Sequence, residues 1–464
     1  MLDDLRRLLG ADGLLTAADA VAPFLVDHRR LYHGRALAVA LPRTTAEVAA
    51  LLAWCNARDV GVVPQGGNTG YCGGATPDES GRQLVIALRR LNRIRALDAA
   101  NFSMTVEAGC VLAEVQRAAA AADRFFPLSL GSEGSCQIGG NLATNAGGLN
   151  VLRFGMMREQ VLGLEVVLAD GRVLDGLQGL RKDNTGYDLK SLFVGAEGTL
   201  GIITAATLRL LPPLRSTATA FAAVRDVAAA IELLGQLRAA SGDALTSFEL
   251  MPAIALKLVR RHIPGTTDPL GAGADWYVLC ELASPATAAL DATLQAALAA
   301  AMEQGLVSDA AVAGSERQRQ DFWRLRESVP EAQRRAGPSL KHDISVPVSA
   351  LPAFVAQASA WVRREVPEGV LVGYGHAGDG NLHFNINLIG SGDAAVFVAR
   401  EPAIRRAIHD MVAGLDGSFS AEHGIGRLKV GELARYADPV ELELMRAVKR
   451  ALDPRGIMNP GKVL

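Results

Sequence analysis

The sequence predicts an α+β chain in two unlike parts, and three observations carry that prediction. At 464 residues the chain is longer than one hydrophobic core ordinarily organises. A double proline, Pro212-Pro213, separates a first part rich in glycine loops from a second part of longer, regularly alternating elements. That second part reads strand–helix–strand twice over. Thr219–Val224, Val227–Ala240 and Leu245–Leu250 are followed by Trp276–Leu282, Pro285–Gln304 and 306–312, the order of a ferredoxin-like mixed sheet with helices on one face.

Composition excludes several function classes. Apolar residues make up 49% and charged residues 21%, as in a soluble globular protein. Lys plus Arg number 47 against 49 for Asp plus Glu, with no long basic run, which argues against nucleic acid as a partner. The N-terminus carries Asp3 and Asp4 and lacks an apolar signal core, and no apolar run is long enough to span a bilayer. Cys55, Cys72, Cys110, Cys136 and Cys280 are scattered and never form a Cys-x-x-Cys, so reduced thiols and a cytoplasmic location are expected.

Along the first part, residues 1–34 read as a helical lead-in and 36–42 as a strand. Thr44 caps a helix over 46–57 with Glu47 three residues on, and Val60–Val63 is a short strand. The loop Pro64-Gln65-Gly66-Gly67-Asn68-Thr69-Gly70-Tyr71-Cys72-Gly73-Gly74 exposes backbone N–H groups that can hold a phosphate. It is neither a Walker A loop nor a Rossmann fingerprint, and taken alone it reads more safely as a plain glycine-rich surface loop. A strand at Phe102–Val106 and a helix over 112–123 lead to a second loop, Gly131–Gly148, whose glycines alternate with Ser, Thr and Asn. Two such loops suit a long, polar ligand of dinucleotide size approached closely by backbone. A hairpin turns at Asp170-Gly171, and a strand follows over 204–211.

Beyond the repeated strand–helix–strand units, Ser315 caps a helix over 316–329 that Pro330 ends or kinks. A strand over 341–348 and a helix over 351–365 precede residues 371–388. There two apolar runs flank Ala377-Gly378-Asp379-Gly380-Asn381, a β-hairpin with a glycine-rich turn. Leu382, Phe384, Ile386 and Leu388 share one face, and His383, Asn385 and Asn387 the other. His376 and His383 should face each other across the hairpin. The pair alone fits a solvated polar face as well as a metal site, because two imidazoles need a third ligand. Glu422-His423 offers one: a His2Glu set is a catalytic arrangement for a divalent ion, with the second His left as a base. Helices are expected over 402–414 and 439–452.

Five stretches in this order carry a resemblance: Pro64–Gly70, Gly139–Gly148, Gly195-Ala196-Glu197-Gly198-Thr199-Leu200-Gly201-Ile202, Gly378–His383 and Glu422-His423-Gly424. From about residue 36 onward the chain resembles the FAD-linked D-2-hydroxyacid dehydrogenases of the vanillyl-alcohol oxidase-type flavoproteins, nearest to members acting on D-2-hydroxyglutarate. The resemblance implies a two-part FAD-binding domain at 1–214, a substrate-binding cap at 215–420 and a C-terminal segment, 421–464, that returns to the FAD domain. It implies FAD held by Pro64, Gly66, Gly67, Asn68, Thr69, Gly70 and Gly73, and by Gly131, Ser135, Gly139, Gly140, Asn141, Thr144, Asn145 and Gly147. Glu197, Gly198, Gly201, Ile202, Asn381 and Asn459 complete that set. Asn68 stands where relatives with tethered flavin can carry histidine, so FAD is expected to be non-covalent.

The same resemblance implies His376, His383 and Glu422 as metal ligands, with zinc in first place and manganese the alternative, and His423 as catalytic base. Arg326, Lys341 and Asn385 would bind substrate. Pro330 departs from the threonine that the hydroxyglutarate enzymes place there, and it can donate no hydrogen bond. The activity implied is metal-assisted oxidation of D-2-hydroxyglutarate to 2-oxoglutarate by hydride transfer to FAD. Oxidation of D-lactate or another aliphatic D-2-hydroxyacid is the alternative, and a flavin-free metallohydrolase a remote one. An electron-transfer flavoprotein or a quinone is the acceptor implied, and a homodimer is compatible with the pattern.

Overall fold

The computed structural model describes the chain except residues 272 and 391. It divides into two compact units. One comprises Met1–Gly148, Gly155–Pro213 and Glu422–Leu464, and the other Leu149–Phe154 and Leu214–Ala421.

The first unit holds two sheets. Strands β1 (Leu14–Leu15), β2 (Ala38–Ala40), β3 (Val62–Gln65) and β4 (Leu84–Ala87) form one, in the order β1-β2-β4-β3, with β4 parallel to both β2 and β3. The helix Thr45–Asn56 buries Val48, Leu51, Leu52 and Cys55 in the core beside this sheet. Its start is capped reciprocally: Thr44 Oγ1 accepts from Glu47 N at 3.1 Å, and Glu47 Oε2 accepts from Arg43 N at 2.6 Å. Strands β5 (Ile94–Asp98), β6 (Ser103–Glu107), β7 (Val161–Val167), β8 (Val173–Gly176) and β9 (Ile202–Arg209) form an antiparallel sheet in the order β5-β6-β9-β7-β8. The β7–β8 turn is the expected Asp170-Gly171, with Gly171 at φ +88°. β4 and β5 have no counterpart in the pattern-based expectation. β4 is a four-residue apolar run buried throughout, which periodicity does not separate from core helix, and β5 is exposed and carries Arg95 and Asp98. The loop expected over 131–148 contains a short helix, Ile138–Ala143. The C-terminal stretch joins this unit by pairing: Val62 N donates to Ile457 O at 2.8 Å and Asn459 N to Val62 O at 2.8 Å.

In the second unit, β10 (Ser216–Val224), β11 (Leu245–Pro252), β12 (Trp276–Ser284) and β13 (Val307–Val312) form a sheet in the order β11-β12-β10-β13. Taking the four in chain order this is 2-3-1-4, with helices Val227–Ser241 and Leu290–Glu303 in the two crossovers. Every pairing in this sheet is antiparallel; the parallel pairs lie in the first unit. A helix not expected from the pattern, Ala253–His262, sits between β11 and β12.

The second sheet of this unit is built on β17 (Asn381–Leu388), which pairs along its length with β16 (Gly369–Tyr374). At its two ends β17 pairs with β14 (Ser339–Leu340) and β15 (Asp343–Ser345). The single strand expected over 341–348 is thus broken at Lys341-His342, where the Asn385 side chain, not a backbone carbonyl, accepts from His342 N at 3.2 Å. Leu382, Phe384, Ile386 and Leu388 enter the core as the alternation predicts. Pro330 does end a helix, but another starts at once: Glu316–Glu327 is followed by Val329–Ala336, with Pro330 in the first turn, where a missing N–H costs nothing.

All five cysteines are buried and free of disulfides. Burial pushes the thiols of Cys55 and Cys280 up to about 12 and that of Cys110 up to about 11. A chromogenic thiol reagent at mildly alkaline pH should therefore titrate none of them in the native protein and all five after denaturation. Rapid native labelling of any one would contradict this packing.

Candidate active site

In the first unit the two glycine loops cross each other, and at Gly67 only glycine allows it. A Cβ at Gly67 would stand 2.2 Å from Ser135 O, whereas one at Gly66 would make ordinary contact, 3.4 Å from Gly140 N. The third motif joins them: Gly195 N donates to Leu142 O at 3.0 Å and Glu197 N to Ala143 O at 2.7 Å. A fourth segment arrives from the C-terminus, where Asn459 Nδ2 donates to Gly74 O at 2.9 Å and Glu197 O at 2.8 Å. Asn68, Asn145, Glu197 and Asn459 all adopt positive φ, between +41° and +54°. Such strain in non-glycine residues collects at functional surfaces. Asn68 is held by its amide, which donates to Val26 O at 2.9 Å, and Asn145 Oδ1 accepts from Arg158 N at 2.9 Å.

Gln137 Oε1 and Asn459 Oδ1 are buried oxygens without a hydrogen-bond partner. Gly70, Gly131, Gly134 and Gly140 have no heavy atom within 4 Å of a Cβ position, so their backbone borders open space.

Glu422 and His423 belong to this unit as well. The segment after them is clamped by Glu197, whose carboxylate accepts from Ile425 N at 2.7 Å and Gly426 N at 2.8 Å. Burial raises the Glu197 pKa, while these two N–H groups and Lys429 oppose the rise. The His423 ring lies 4.7 Å from that of Tyr71, centroid to centroid, and Tyr71 lies 5.5 Å from His28. His28 therefore has company that its place in the sequence did not suggest. Burial also raises the Tyr71 hydroxyl pKa, with Arg29 opposing and Glu422 adding to the rise.

In the second unit His376 and His383 do approach, with ring centroids 5.5 Å apart and nearly perpendicular. The strand register pairs His383 with Tyr374, and His376 sits beyond the strand end, in the turn. His383 is also in register with Asp343 on β15, and these two bring ligand atoms within 4.8 Å of each other. His376 Nδ1 lies 2.6 Å from Glu249 Oε1, and Arg326 Nε lies 2.5 Å from Glu249 Oε2. All three side chains are buried. Burial pushes the Glu249 pKa up, but Arg326 and His376 outweigh it and bring it to about 2. Below Arg326 is the Tyr374 ring, 4.9 Å from the guanidinium carbon.

Glu249 was not singled out from the sequence, and the available signal was a lone acid in a strand otherwise fit for a core. Asn381 Nδ2 donates to Asp343 Oδ1 at 3.0 Å and Ile344 O at 2.9 Å. The Asn385 amide is engaged within the unit by His342 N and by Gln333 Oε1. Lys341 is exposed between β14 and β15, and Pro330 is exposed in the first turn of its helix.

Two family models match the chain: the FAD binding domain over residues 36–176, and the C-terminal domain of FAD linked oxidases over residues 214–463. The chain belongs to the FAD-linked oxidases. Relatives of this FAD-linked oxidase include the mitochondrial D-2-hydroxyglutarate dehydrogenase of Bos taurus, 41% identical over 97% of this chain and 81% of its own length. The D-2-hydroxyglutarate dehydrogenase of Xanthomonas citri pv. viticola is 39% identical over 94% of this chain and 91% of its own. The mitochondrial enzyme of that name from Arabidopsis thaliana is 37% identical over 99% and 80%. In fold, p-cresol methylhydroxylase superposes with a TM-score of 0.77 at 18% identity, covering 100% of this chain and 96% of that one. Alkyldihydroxyacetonephosphate synthase does so with a TM-score of 0.77 at 16%, covering 99% and 84%. The fold is thus that of the vanillyl-alcohol oxidase-type flavoproteins, and the chain is an FAD-dependent dehydrogenase. A flavin-free metallohydrolase is set aside. No helix among the described residues is long and apolar enough to cross a membrane.

The residues present fit FAD: open glycine backbone suits a pyrophosphate, and unpaired buried oxygens suit ligand hydroxyl or N–H groups. Gly67→Ala should push the loops apart and cut the flavin bound per protein several-fold. Gly431→Ala, where nothing lies within 4 Å of the new Cβ, should retain it. The ratio of absorbance near 450 nm to that at 280 nm reads the difference, and equal ratios would refute the crossing as the cause.

Proposed function

We propose that this FAD-dependent dehydrogenase oxidises a D-2-hydroxyacid at C2, with D-2-hydroxyglutarate converted to 2-oxoglutarate. Relatives of 37–41% identity carry that substrate in their names. In the chain itself, the observation that carries the proposal is the buried group in which one carboxylate touches both Arg326 and His376. Arginine is the planar cation suited to a substrate carboxylate, and an imidazole with Nδ1 engaged offers Nε2 to a metal.

FAD, when bound, supplies the hydride acceptor, and a divalent ion supplies positive charge that acidifies the substrate hydroxyl. The donor set of imidazole nitrogens and carboxylate suits zinc first and manganese as the alternative. His376, His383 and Glu422 would hold the ion. Arg326 would bind the substrate carboxylate through its planar guanidinium. His423 takes the hydroxyl proton on its imidazole, a contribution of about 10²–10⁴-fold for a positioned general base. Stacking on Tyr71 limits the swing of that ring. Lys341 serves the distal carboxylate of a diacid. Pro330 cannot donate a hydrogen bond there, and this favours testing D-lactate as the second reading. Asn68 offers no nucleophilic imidazole, so FAD is held without a covalent bond, and acid precipitation should leave the yellow colour in the supernatant. For reoxidation we infer an electron-transfer flavoprotein or a quinone.

Anaerobic bleaching of the flavin tests the reading. D-2-hydroxyglutarate should bleach it faster than D-lactate, and the L enantiomers should not. Preference for D-lactate would transfer the assignment to monoacids. His376→Ala should keep its flavin yet bleach at least about a hundredfold more slowly, as should the chelated wild type. Full activity in either would sink metal assistance.

A further inference from the structure

We propose that Glu249 is a positioning residue that serves two recognition sites at once. One oxygen sets the tautomer and aim of His376 for a metal ion, and the other sets the plane of Arg326 for a substrate carboxylate. The proposal rests on the reading of His376 and Arg326 given above, and it assigns a role to a residue outside both.

The fold brings Glu249 to this position through two sheets of the second unit. β11, its strand, is buried along its whole length. The next residue, Leu250, exchanges two backbone hydrogen bonds with Gly375: Leu250 N to Gly375 O at 2.8 Å and Gly375 N to Leu250 O at 3.0 Å. Gly375 has φ +140°, and His376 follows it immediately. The backbone thus fixes the spacing between the carboxylate and the imidazole before either side chain turns.

An ionised carboxylate can only accept hydrogen bonds, so the contact at Oε1 requires the hydrogen of His376 on Nδ1. The ligating lone pair is then on Nε2, the relation in which a carboxylate orients a metal-binding imidazole. At Oε2 the acceptor meets Arg326 Nε, which blocks rotation of the guanidinium plane. Tyr374 packs under that plane at 4.9 Å and also lies 5.2 Å from the His383 ring. The carboxylate thus fixes Arg326 and His376 by one hydrogen bond each, and Tyr374 packs against Arg326 on one side and His383 on the other. If a filled interior were the only requirement, apolar side chains of similar volume would serve as well.

Glu249→Gln keeps the shape and removes one acceptor. Its NH2 must then oppose either Arg326 Nε–H or His376 Nδ1–H, or drive His376 to the other tautomer, with hydrogen on Nε2. No arrangement preserves both contacts and the ligating nitrogen together.

The test uses the full-length flavoprotein stripped of metal. Zn2+ affinity is read by competition with a chromophoric chelator, and KM and kcat for D-2-hydroxyglutarate are measured separately. Flavin absorbance and the thermal midpoint report folding. His376→Ala should weaken Zn2+, whereas Arg326→Lys should raise KM and leave Zn2+ affinity within about twofold. Glu249→Gln should do both, weakening Zn2+ by about 10–100-fold and raising KM about tenfold or more. Change in only one of the two, or in neither, overturns the proposal. Absence of Zn2+ binding by the wild type would instead remove the metal reading on which the proposal rests. Should Glu249→Gln fail to fold, Glu249→Asp keeps the charge but is one methylene short of spanning both partners. It should lose at least one of the two affinities, and retention of both is the overturning result.

Discussion

The half-buried carboxylate of Glu197 is the constraint on which the first unit depends. It accepts two backbone N–H groups from Ile425 and Gly426, and its own carbonyl accepts from Asn459. A Cβ at Gly424 would stand 2.7 Å from its Oε1, and one at Gly74 would stand 3.1 Å from its Oε2. Three other chain segments, around Gly74, Gly424–Gly426 and Asn459, thus meet on one residue. Withdrawing a carboxylate from water is costly unless donors replace it, and here two peptide N–H groups do so. The left-handed backbone at Glu197 and Asn459 is the conformational cost of bringing those groups together.

A similar economy governs the polar face of β17. That face is largely closed to water, because Asn385 and Asn387 are buried with Gln333 in a network of amides. Asn385 Nδ2 donates to Gln333 Oε1 at 3.1 Å, and Gln333 Nε2 donates to Asn387 Oδ1 at 2.7 Å. Satisfied amide networks of this kind fix register, since a slip of one residue would leave several buried groups unpaired. The histidine on the same face is therefore presented by a strand that cannot slide.

Features set by neighbours in sequence were legible in advance. The Thr44 cap, the turn at Asp170-Gly171, the helix at Leu351–Glu365 and the inward face of β17 follow from local chemistry. The two glycine loops were legible as a ligand surface, although their crossing was not, because it depends on the approach of Gly67 to Ser135. Glu249 was illegible for a plainer reason. Its partners lie 77 and 127 residues away, and no period or motif links positions so distant. Lys341-His342 misled because a side-chain acceptor replaces a ladder carbonyl there, and β-propensity does not register the exchange.

The interleaved path of the chain imposes an order on its folding. Residues 214–421 form a contiguous stretch and leave the ribosome complete, whereas the first unit must wait for 422–464 to add Glu422, His423 and Asn459. Until then the Glu197 carboxylate lacks its two N–H donors, and β3 lacks the backbone pairing of Ile457 and Asn459. Domains tend to fold as units during synthesis, so the nascent chain spends this interval with one half finished and the other open. The contacts that Ile425, Gly426 and Asn459 make with Glu197 and Gly74 are consequently available only once the C-terminal segment has been made.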